Sequence, residues 1–120
     1  MPRNRNLRAV GGAYEKIAGQ YLEAHGYHIL EYNYRCRAGE VDIIALDGEY
    51  LVFCEVKYRE NQNTGTALEA VDAKKQRRIS KCALYYISRN DSGTRQCRFD
   101  VVGIQEGQIE LIKHAFEFVM

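Results

Sequence analysis

Apolar and polar residues alternate along this chain with two different periods, which predict the order of its helices and strands. Stripes at helical spacing predict one helix over residues 10–25, ended by Gly26, and a second over residues 68–89. Strands are predicted near residues 26–34, 39–46, 50–59, 97–102 and 108–112. This order of elements predicts an α/β protein with a mixed central β-sheet flanked by helices.

The two strands within residues 39–59 form a predicted β-hairpin. The dipeptide Asp47-Gly48 lies between them, and such a pair favours a tight turn because glycine adopts a positive φ easily. With these two residues as the loop, Asp42 pairs with Phe53, unless a bulge shifts the register. Both strands are rich in valine, isoleucine and leucine, so we expect the hairpin at the centre of the sheet.

Three charged residues interrupt the apolar pattern of this hairpin: Asp42, Glu55 and Lys57. Side chains alternate across a strand, so Glu55 and Lys57 share a face, and the pairing brings Asp42 to the same face. Carboxylates are rarely buried unless they are paired or hold a metal. Two carboxylates can bind Mg²⁺ and leave sites for water, which a lysine beside them can orient. The alternative is an ordinary ion-pair cluster in which Asp42 is a strand-end residue.

The same residues carry a resemblance to a known family. Asp42 followed by Glu55 and Lys57, in the order D…E-x-K, resembles the PD-(D/E)xK nuclease signature, and the wider strings 39–42 and 52–59 resemble the YraN family of small bacterial proteins. That family is related to archaeal Holliday junction resolvases, and the resemblance runs over nearly the whole chain. It implies a restriction-endonuclease-like α/β/α core and a Mg²⁺- or Mn²⁺-dependent endonuclease acting on branched or single-stranded DNA. Asp42, Glu55 and Lys57 would be catalytic, with Asp42 and Glu55 also binding the metal.

The resemblance also assigns roles to residues of both helices. In the related resolvases a glutamate of the first helix completes the metal site, and Glu15 matches that position. The alternative for Glu15 is a solvated glutamate on the helix surface. The family has a basic second helix, which makes Lys75 and Arg78 candidate phosphate ligands. The alternative for Lys75 is a side chain whose stem covers the edge of the core.

Arginines near the hairpin extend the candidate nucleic-acid surface. Arg35 and Arg37 lie in the loop that leads into the hairpin, and Arg59 ends its second strand. For Arg35 and Arg37 the alternative is a pair of exposed loop arginines without a ligand. The polar residues 61–66 predict a flexible loop beside the site, which orders when substrate binds.

Size and charge narrow the classes of function. A chain of 120 residues suits one domain, 1–120, of which residues 1–8, with three arginines, are expected to be a flexible basic arm. The net charge of +1 creates no overall basic field, so a nucleic-acid surface must be a local patch. No apolar run approaches the ~20 residues that span a bilayer and no export signal is visible, so we expect a cytoplasmic protein. Four cysteines without a C-x-x-C pair argue against zinc and favour buried thiols.

Two functions other than catalysis remain open on the sequence. The modest net charge favours a nucleic-acid-binding accessory protein that keeps the nuclease fold without cleaving its ligand. A structural interaction protein would use Asp42, Glu55 and Lys57 only as an ion-pair cluster. The related resolvases act as dimers, which implies a homodimer for this chain as well.

Overall fold

A computed structural model describes residues 2–59, 67–90, 95–105 and 107–119, with side chains described from residue 12 onward. Its elements follow the predicted order of helix, strand, hairpin, helix, strand and strand. They are α1 (Pro2–Ala24), β1 (His28–Cys36), β2 (Gly39–Asp47), β3 (Tyr50–Arg59), α2 (Ala73–Asn90), β4 (Gln96–Gln105) and β5 (Gln108–Phe116). The predicted loop of residues 61–66 lies outside the described residues.

The five strands form one mixed sheet in the order β1-β2-β3-β4-β5. Every neighbouring pair is antiparallel except β3 and β4, which are parallel and are connected through α2. A parallel pair needs such a crossover, because a tight turn can join only antiparallel strands. The predicted α/β class is therefore confirmed, and the architecture is that of a restriction-endonuclease-like α/β fold.

The two helices cover opposite faces of the sheet, and each face has its own apolar cluster. The cluster on the α1 side includes Ala18, Leu22, Ile43, Val52, Cys54 and Val102. The cluster on the α2 side includes Phe53, Ile79, Cys82, Ala83, Tyr86 and Phe99. β3 supplies alternate residues to the two clusters, as expected for a central strand buried on both faces.

The helix ends differ from the predicted ones for local reasons. α1 ends as expected, because Gly26 takes a φ of 91° and the backbone N–H of Tyr27 donates to the carbonyl of Leu22. α1 begins at Pro2 rather than near residue 10, so residues 2–8, expected to be an arm, belong to the helix. Proline suits the first turn of a helix because that turn does not use its missing N–H.

α2 begins at Ala73, five residues later than predicted, because Asp72 caps it. The side chain of Asp72 accepts a hydrogen bond from the backbone N–H of Lys75 at 2.9 Å. The buried stripe predicted for this helix is confirmed, since Ile79, Cys82 and Ala83 are all at most 2% exposed.

The register of the hairpin corrects the sequence prediction. Asp47 pairs with Tyr50, so the loop consists of Gly48 and the residue after it rather than of Asp47 and Gly48. Gly48 has the positive φ of 60° that the first position of this loop requires, and Asp47 remains in the strand. The pairing therefore moves by two residues, and Asp42 lies opposite Glu55 instead of Phe53. A shift of two keeps the paired residues 43–47 and 50–54 on their predicted faces.

Within the described ranges, no helix combines the length and the apolar character that a bilayer-spanning segment needs.

Candidate metal centre and basic cleft

A cavity of about 420 Å³ opens at the end of the β2–β3 hairpin that lies away from its turn. Residues of α1, β2, β3 and α2 line it together. The lining side chains that carry charge are Glu15, Glu40, Asp42, Glu55, Lys57, Lys75 and Arg78. The cavity thus has acidic groups at the centre of the sheet and basic groups on β3 and α2.

Asp42 and Glu55 are fixed by hydrogen bonds that continue the hairpin where its backbone ladder stops. The last backbone pair toward the cavity is Ile43 with Cys54. Beyond it, the N–H of Val56 donates to Oδ2 of Asp42 at 2.8 Å, and the N–H of Asp42 donates to Oε2 of Glu55 at 3.4 Å. Each carboxylate therefore accepts an N–H of the opposite strand, which restricts the position of both.

A local irregularity of β2 turns Asp42 toward α1. Val41 packs in the cluster on the α2 side and Ile43 in the cluster on the α1 side, although alternate residues of a regular strand share a face. On β1 the residue opposite Asp42 is Asn33, whose φ of 55° is unusual for a residue with a side chain. This distortion brings Asp42 close to Glu15 of α1, and such irregularities are frequent next to functional sites.

Three carboxylates approach one another closely enough to share a cation. Glu15, Glu40 and Asp42 each offer an oxygen, and these oxygens all lie within 4.8 Å of one another. We call these three residues the acidic cluster. Glu55 is not one of the three, but it lies beside Asp42 through the hydrogen bond described above. Oxygen ligands of this kind suit Mg²⁺ or Mn²⁺.

Among the acidic residues described in the lining of the cavity, Glu40 is the one to which the sequence analysis assigned no role. Its signal was available, because residues 40 and 42 of one strand share a face by strand alternation. Glu40 also forms an ion pair with Arg35, whose Nε lies 3.4 Å from its carboxylate.

Burial makes this group of carboxylates costly to ionise. Burial raises the pKa of Glu55 to about 8, and the neighbouring Asp42 adds to the shift. Burial likewise raises the pKa values of Asp42 and Glu15, although the Val56 N–H partly offsets the effect on Asp42. Lys57 and Lys75 act in the opposite direction on the pKa values of Glu55 and Asp42, but the effect of burial is larger.

Lys57 lines the cavity, and its pKa is lower than the ordinary value of a lysine. Burial lowers the pKa of Lys57, and the adjacent Lys75 lowers it further. The neighbouring carboxylates of Glu55 and Asp42 act in the opposite direction. Two ammonium groups thus converge on the cavity from β3 and α2, where an anionic ligand would stabilise both.

The structure brings six of the nine predicted site residues to this cavity: Glu15, Asp42, Glu55, Lys57, Lys75 and Arg78. The other three, Arg35, Arg37 and Arg59, are not among its lining residues. Arg35 and Arg37 are exposed, on β1 and in the β1–β2 turn. Arg59 ends β3 and is only 9% exposed.

A pair of stacked tyrosines stands beside the charged groups. The rings of Tyr14 and Tyr58 lie 4.1 Å apart between centroids at an angle of 16°, and both line the cavity. Tyr58 is 45% exposed. No local pattern of the sequence predicts this stack, because it joins α1 to β3 across a long separation in sequence.

Comparison with known proteins places the chain in a family. The model of the uncharacterised protein family UPF0102 matches residues 14–104. A UPF0102 protein of Lachnoclostridium phytofermentans is 48% identical over 113 residues, which cover 93% of this chain and 96% of that protein. A UPF0102 protein of Syntrophus aciditrophicus is 50% identical over 117 residues, covering 94% of this chain and 91% of that protein. The matched residues include the acidic cluster and the hairpin, and the chain belongs to the uncharacterised protein family UPF0102.

Proposed function

We propose that this protein is an endonuclease of the PD-(D/E)xK type that hydrolyses phosphodiester bonds of DNA and depends on Mg²⁺ or Mn²⁺. The observation that carries the proposal is the convergence of Asp42, Glu55 and Lys57 with Glu15 at one cavity. These residues come from α1, β2 and β3. An ordinary surface ion pair needs only two side chains of opposite charge and does not require three elements to converge. The resemblance to the YraN family and to Holliday junction resolvases supports the same assignment.

The carboxylates suit a role in holding the metal. Asp42 is central, since its oxygens approach those of Glu15 and Glu40 and its N–H binds Glu55. When bound, a divalent cation supplies Lewis acidity, which makes water a stronger nucleophile and offsets charge on the phosphate. The hydrogen bonds from Val56 and to Glu55 keep Asp42 in position for that role.

The basic residues suit a role in holding the phosphate. Lys57 lies on β3 beside Glu55 and would donate to the attacking water or to a phosphate oxygen that gains negative charge. Lys75 and Arg78 reach the cavity from α2 and would bind the flanking phosphates. The resemblance to Holliday junction resolvases implies branched or single-stranded DNA as the substrate, with a homodimer needed to cut two strands. We place this activity in the cytoplasm, for which four reduced cysteines are typical.

A cleavage assay with matched variants tests the proposal. Purified protein is incubated with a four-way junction, single-stranded DNA, duplex DNA and RNA in Mg²⁺, in Mn²⁺ and in EDTA. We expect metal-dependent cleavage by the wild type, and a loss of about a hundredfold or more in Asp42→Asn and Lys57→Met. Glu110→Gln is the control, because Glu110 is an exposed carboxylate on β5. An absence of cleavage on every substrate, or cleavage unchanged in Asp42→Asn, would overturn the proposal.

The net charge of +1 favours a second candidate, a nucleic-acid-binding accessory protein that does not cleave. Its lysines and arginines would bind phosphates in the same cavity. Salt-dependent DNA binding that survives Glu55→Ala, without cleavage by the wild type in either metal, would select this function over the endonuclease.

A further inference from the structure

We propose that Cys36 and Cys82 form a disulfide under oxidising conditions, which makes this thiol pair a redox modification site. The Sγ atoms lie 3.0 Å apart, although the residues are 46 positions apart in sequence. A disulfide bond is about 2.05 Å long, so the sulfur atoms need to approach by only about 1 Å. The proposal does not depend on the proposed nuclease activity.

The close approach results from the way the β1–β2 turn lies on α2. Cys36 ends β1 and pairs with Gly39 across a short turn, and Gly39 has a φ of 151°. A Cβ atom at Gly39 would lie 3.6 Å from Cβ of Arg78 and 3.8 Å from Sγ of Cys82. The backbone of the turn therefore rests directly against the face of α2 that carries Cys82.

The other two cysteines lie away from this contact and serve as internal controls. Cys54 is fully buried in the cluster on the α1 side, whereas Cys82 belongs to the cluster on the α2 side. Cys97 lies on β4 opposite Leu51, near the turn of the hairpin. Neither position lies at the contact between the β1–β2 turn and α2.

The chemistry has a definite order when a hydroperoxide is the oxidant. Cys36 is half-buried and Cys82 is fully buried, so the peroxide reaches Cys36 first. The Cys36 sulfur takes one oxygen from hydrogen peroxide to form a sulfenic acid, and one water leaves. The Cys82 sulfur then attacks the Cys36 sulfur, the S–S bond forms, and a second water carries away the oxygen and the thiol proton. In sum, two thiols lose two hydrogens and the peroxide becomes two water molecules.

Burial raises the pKa of Cys82 to about 12, and the contact with Cys36 raises it as well. A thiol of this kind is a poor first nucleophile toward solvent oxidants. It is nevertheless placed to resolve a sulfenic acid that forms next to it.

The bond would join the two sides of the cavity described above. Arg78 lies one helical turn before Cys82 on α2, and Glu40 follows shortly after Cys36 on β2. Oxidation would therefore restrain the basic helix against the acidic cluster. Closing a loop of this length also restricts the unfolded chain, so we expect the thermal midpoint to rise by about 5 to 15 °C.

The test oxidises the full-length protein with hydrogen peroxide at low protein concentration, and then blocks the remaining thiols with an alkylating reagent. We expect a mass lower by about 2 Da before alkylation, and a fall from four to two alkylated cysteines. Peptide mapping should join the peptides of Cys36 and Cys82. Cys97→Ser should keep this bond, and both Cys36→Ser and Cys82→Ala should lose it. The mapping of the wild type decides the question even if a variant folds poorly.

Three results would overturn the proposal. The first is a wild type that keeps four alkylatable thiols, or that accumulates sulfinic acid on Cys36 while Cys82 stays reduced. The second is a disulfide that links two chains. The third is a bond that includes Cys54 or Cys97.

Discussion

The two ends of the central hairpin both bury charged groups, but they differ in how a cation is placed among the carboxylates. At the turn end, Arg98 of β4 lies between two carboxylates, 2.6 Å from Asp47 and 2.9 Å from Asp100. At the cavity end, Asp42 and Glu55 lie side by side, each bonded to a backbone N–H. The first end has a cation of its own between its carboxylates, whereas the lysines of the second line the cavity beside the carboxylates.

The turn end forms a closed network. The hydroxyl of Tyr27 donates to Oδ2 of Asp100 at 2.7 Å, and the N–H of His114 donates to Oδ1 at 3.1 Å. The hydrogen bond from Arg98 lowers the pKa of Asp47, so this carboxylate stays ionised at neutral pH. A buried charge whose partners are all supplied by the protein does not need a ligand, although removing one of the partners is strongly destabilising.

At the cavity end, the pKa values of the carboxylates shift in the direction opposite to that of Asp47. Burial raises the pKa values of Asp42, Glu55 and Glu15, which a satisfied ion pair would lower. The contrast teaches that burial of a carboxylate does not by itself distinguish structure from function. The surroundings differ: Arg98 lies between the two carboxylates of the turn end, whereas the carboxylates of the cavity end lie against one another.

Removing the cation at the turn end should have the largest effect on stability. Arg98→Met would leave Asp100, which is fully buried, without its guanidinium partner. We expect the free energy of unfolding in urea to fall by about 3–5 kcal/mol. A loss below about 1 kcal/mol would show that this network is not closed in the way described.

The raised pKa of Glu55 at the cavity end should make the stability of the protein depend on pH in metal-free buffer. The pKa of Glu55 is about 8 in the folded protein, compared with an ordinary value of 4.5. Between these values the folded state keeps a proton that the unfolded state releases, so raising the pH favours unfolding. We expect the free energy of unfolding in EDTA to fall by roughly 2–4 kcal/mol from pH 4.5 to pH 8.

Two variants isolate the contribution of Glu55 to that slope. Glu55→Gln cannot ionise and should flatten the decline, whereas Glu110→Gln should leave it unchanged because Glu110 is exposed. Equal slopes in the wild type and Glu55→Gln would refute the assignment.

The first helix should contribute to metal binding by a smaller amount. Glu15→Gln removes the negative charge of one of the three carboxylates whose oxygens approach within 4.8 Å, so we expect Mg²⁺ affinity to fall roughly tenfold. Thermal shift titrations measure this change. Glu23→Gln, at an exposed carboxylate of the same helix, is the matched control and should bind Mg²⁺ like the wild type. Affinity that is unchanged in Glu15→Gln would confine the site to the hairpin.

The smallest effect is expected at the rim of the closed network. Lys113 lies 3.4 Å from Asp47, but its side chain is 52% exposed. We expect Lys113→Met to lower the free energy of unfolding by about 0–1 kcal/mol. A loss as large as that of Arg98→Met would contradict the account, because it would mean that the exposed Lys113 contributes as much to stability as the buried Arg98.

Much of the fold could be predicted because its signals are local. Gly26 ends α1 as its sequence position indicates, and the alternation of β3 predicts that Glu55 and Lys57 share a face. The start of α2 was missed although Asp72 is a residue type that caps helices, because the apolar stripe begins earlier. The register was missed because it depends on the backbone conformation of Gly48, which the Asp-Gly pair alone does not specify.

The site could be predicted in part, for a similar reason. The order Asp42, Glu55, Lys57 lies in one hairpin, so the hairpin prediction alone brings these residues close together. The irregularity of β2 that turns Asp42 toward Glu15 has no signal in the alternation of the sequence. Pairs such as Arg98 with Asp47, or Cys36 with Cys82, join residues 51 and 46 positions apart and depend on how whole elements pack. No periodicity of the sequence encodes such contacts.

The most direct test of the central claim is calorimetric titration of Mg²⁺ at pH 7 in two buffers with different enthalpies of ionisation. If the cavity end binds a divalent cation, binding must release the proton that Glu55 keeps at pH 7 because its pKa is raised. The account predicts that the wild type binds Mg²⁺ and releases about one proton per ion at pH 7, and that Asp42→Asn does not bind. The absence of binding by the wild type, or binding that releases no proton, would contradict it.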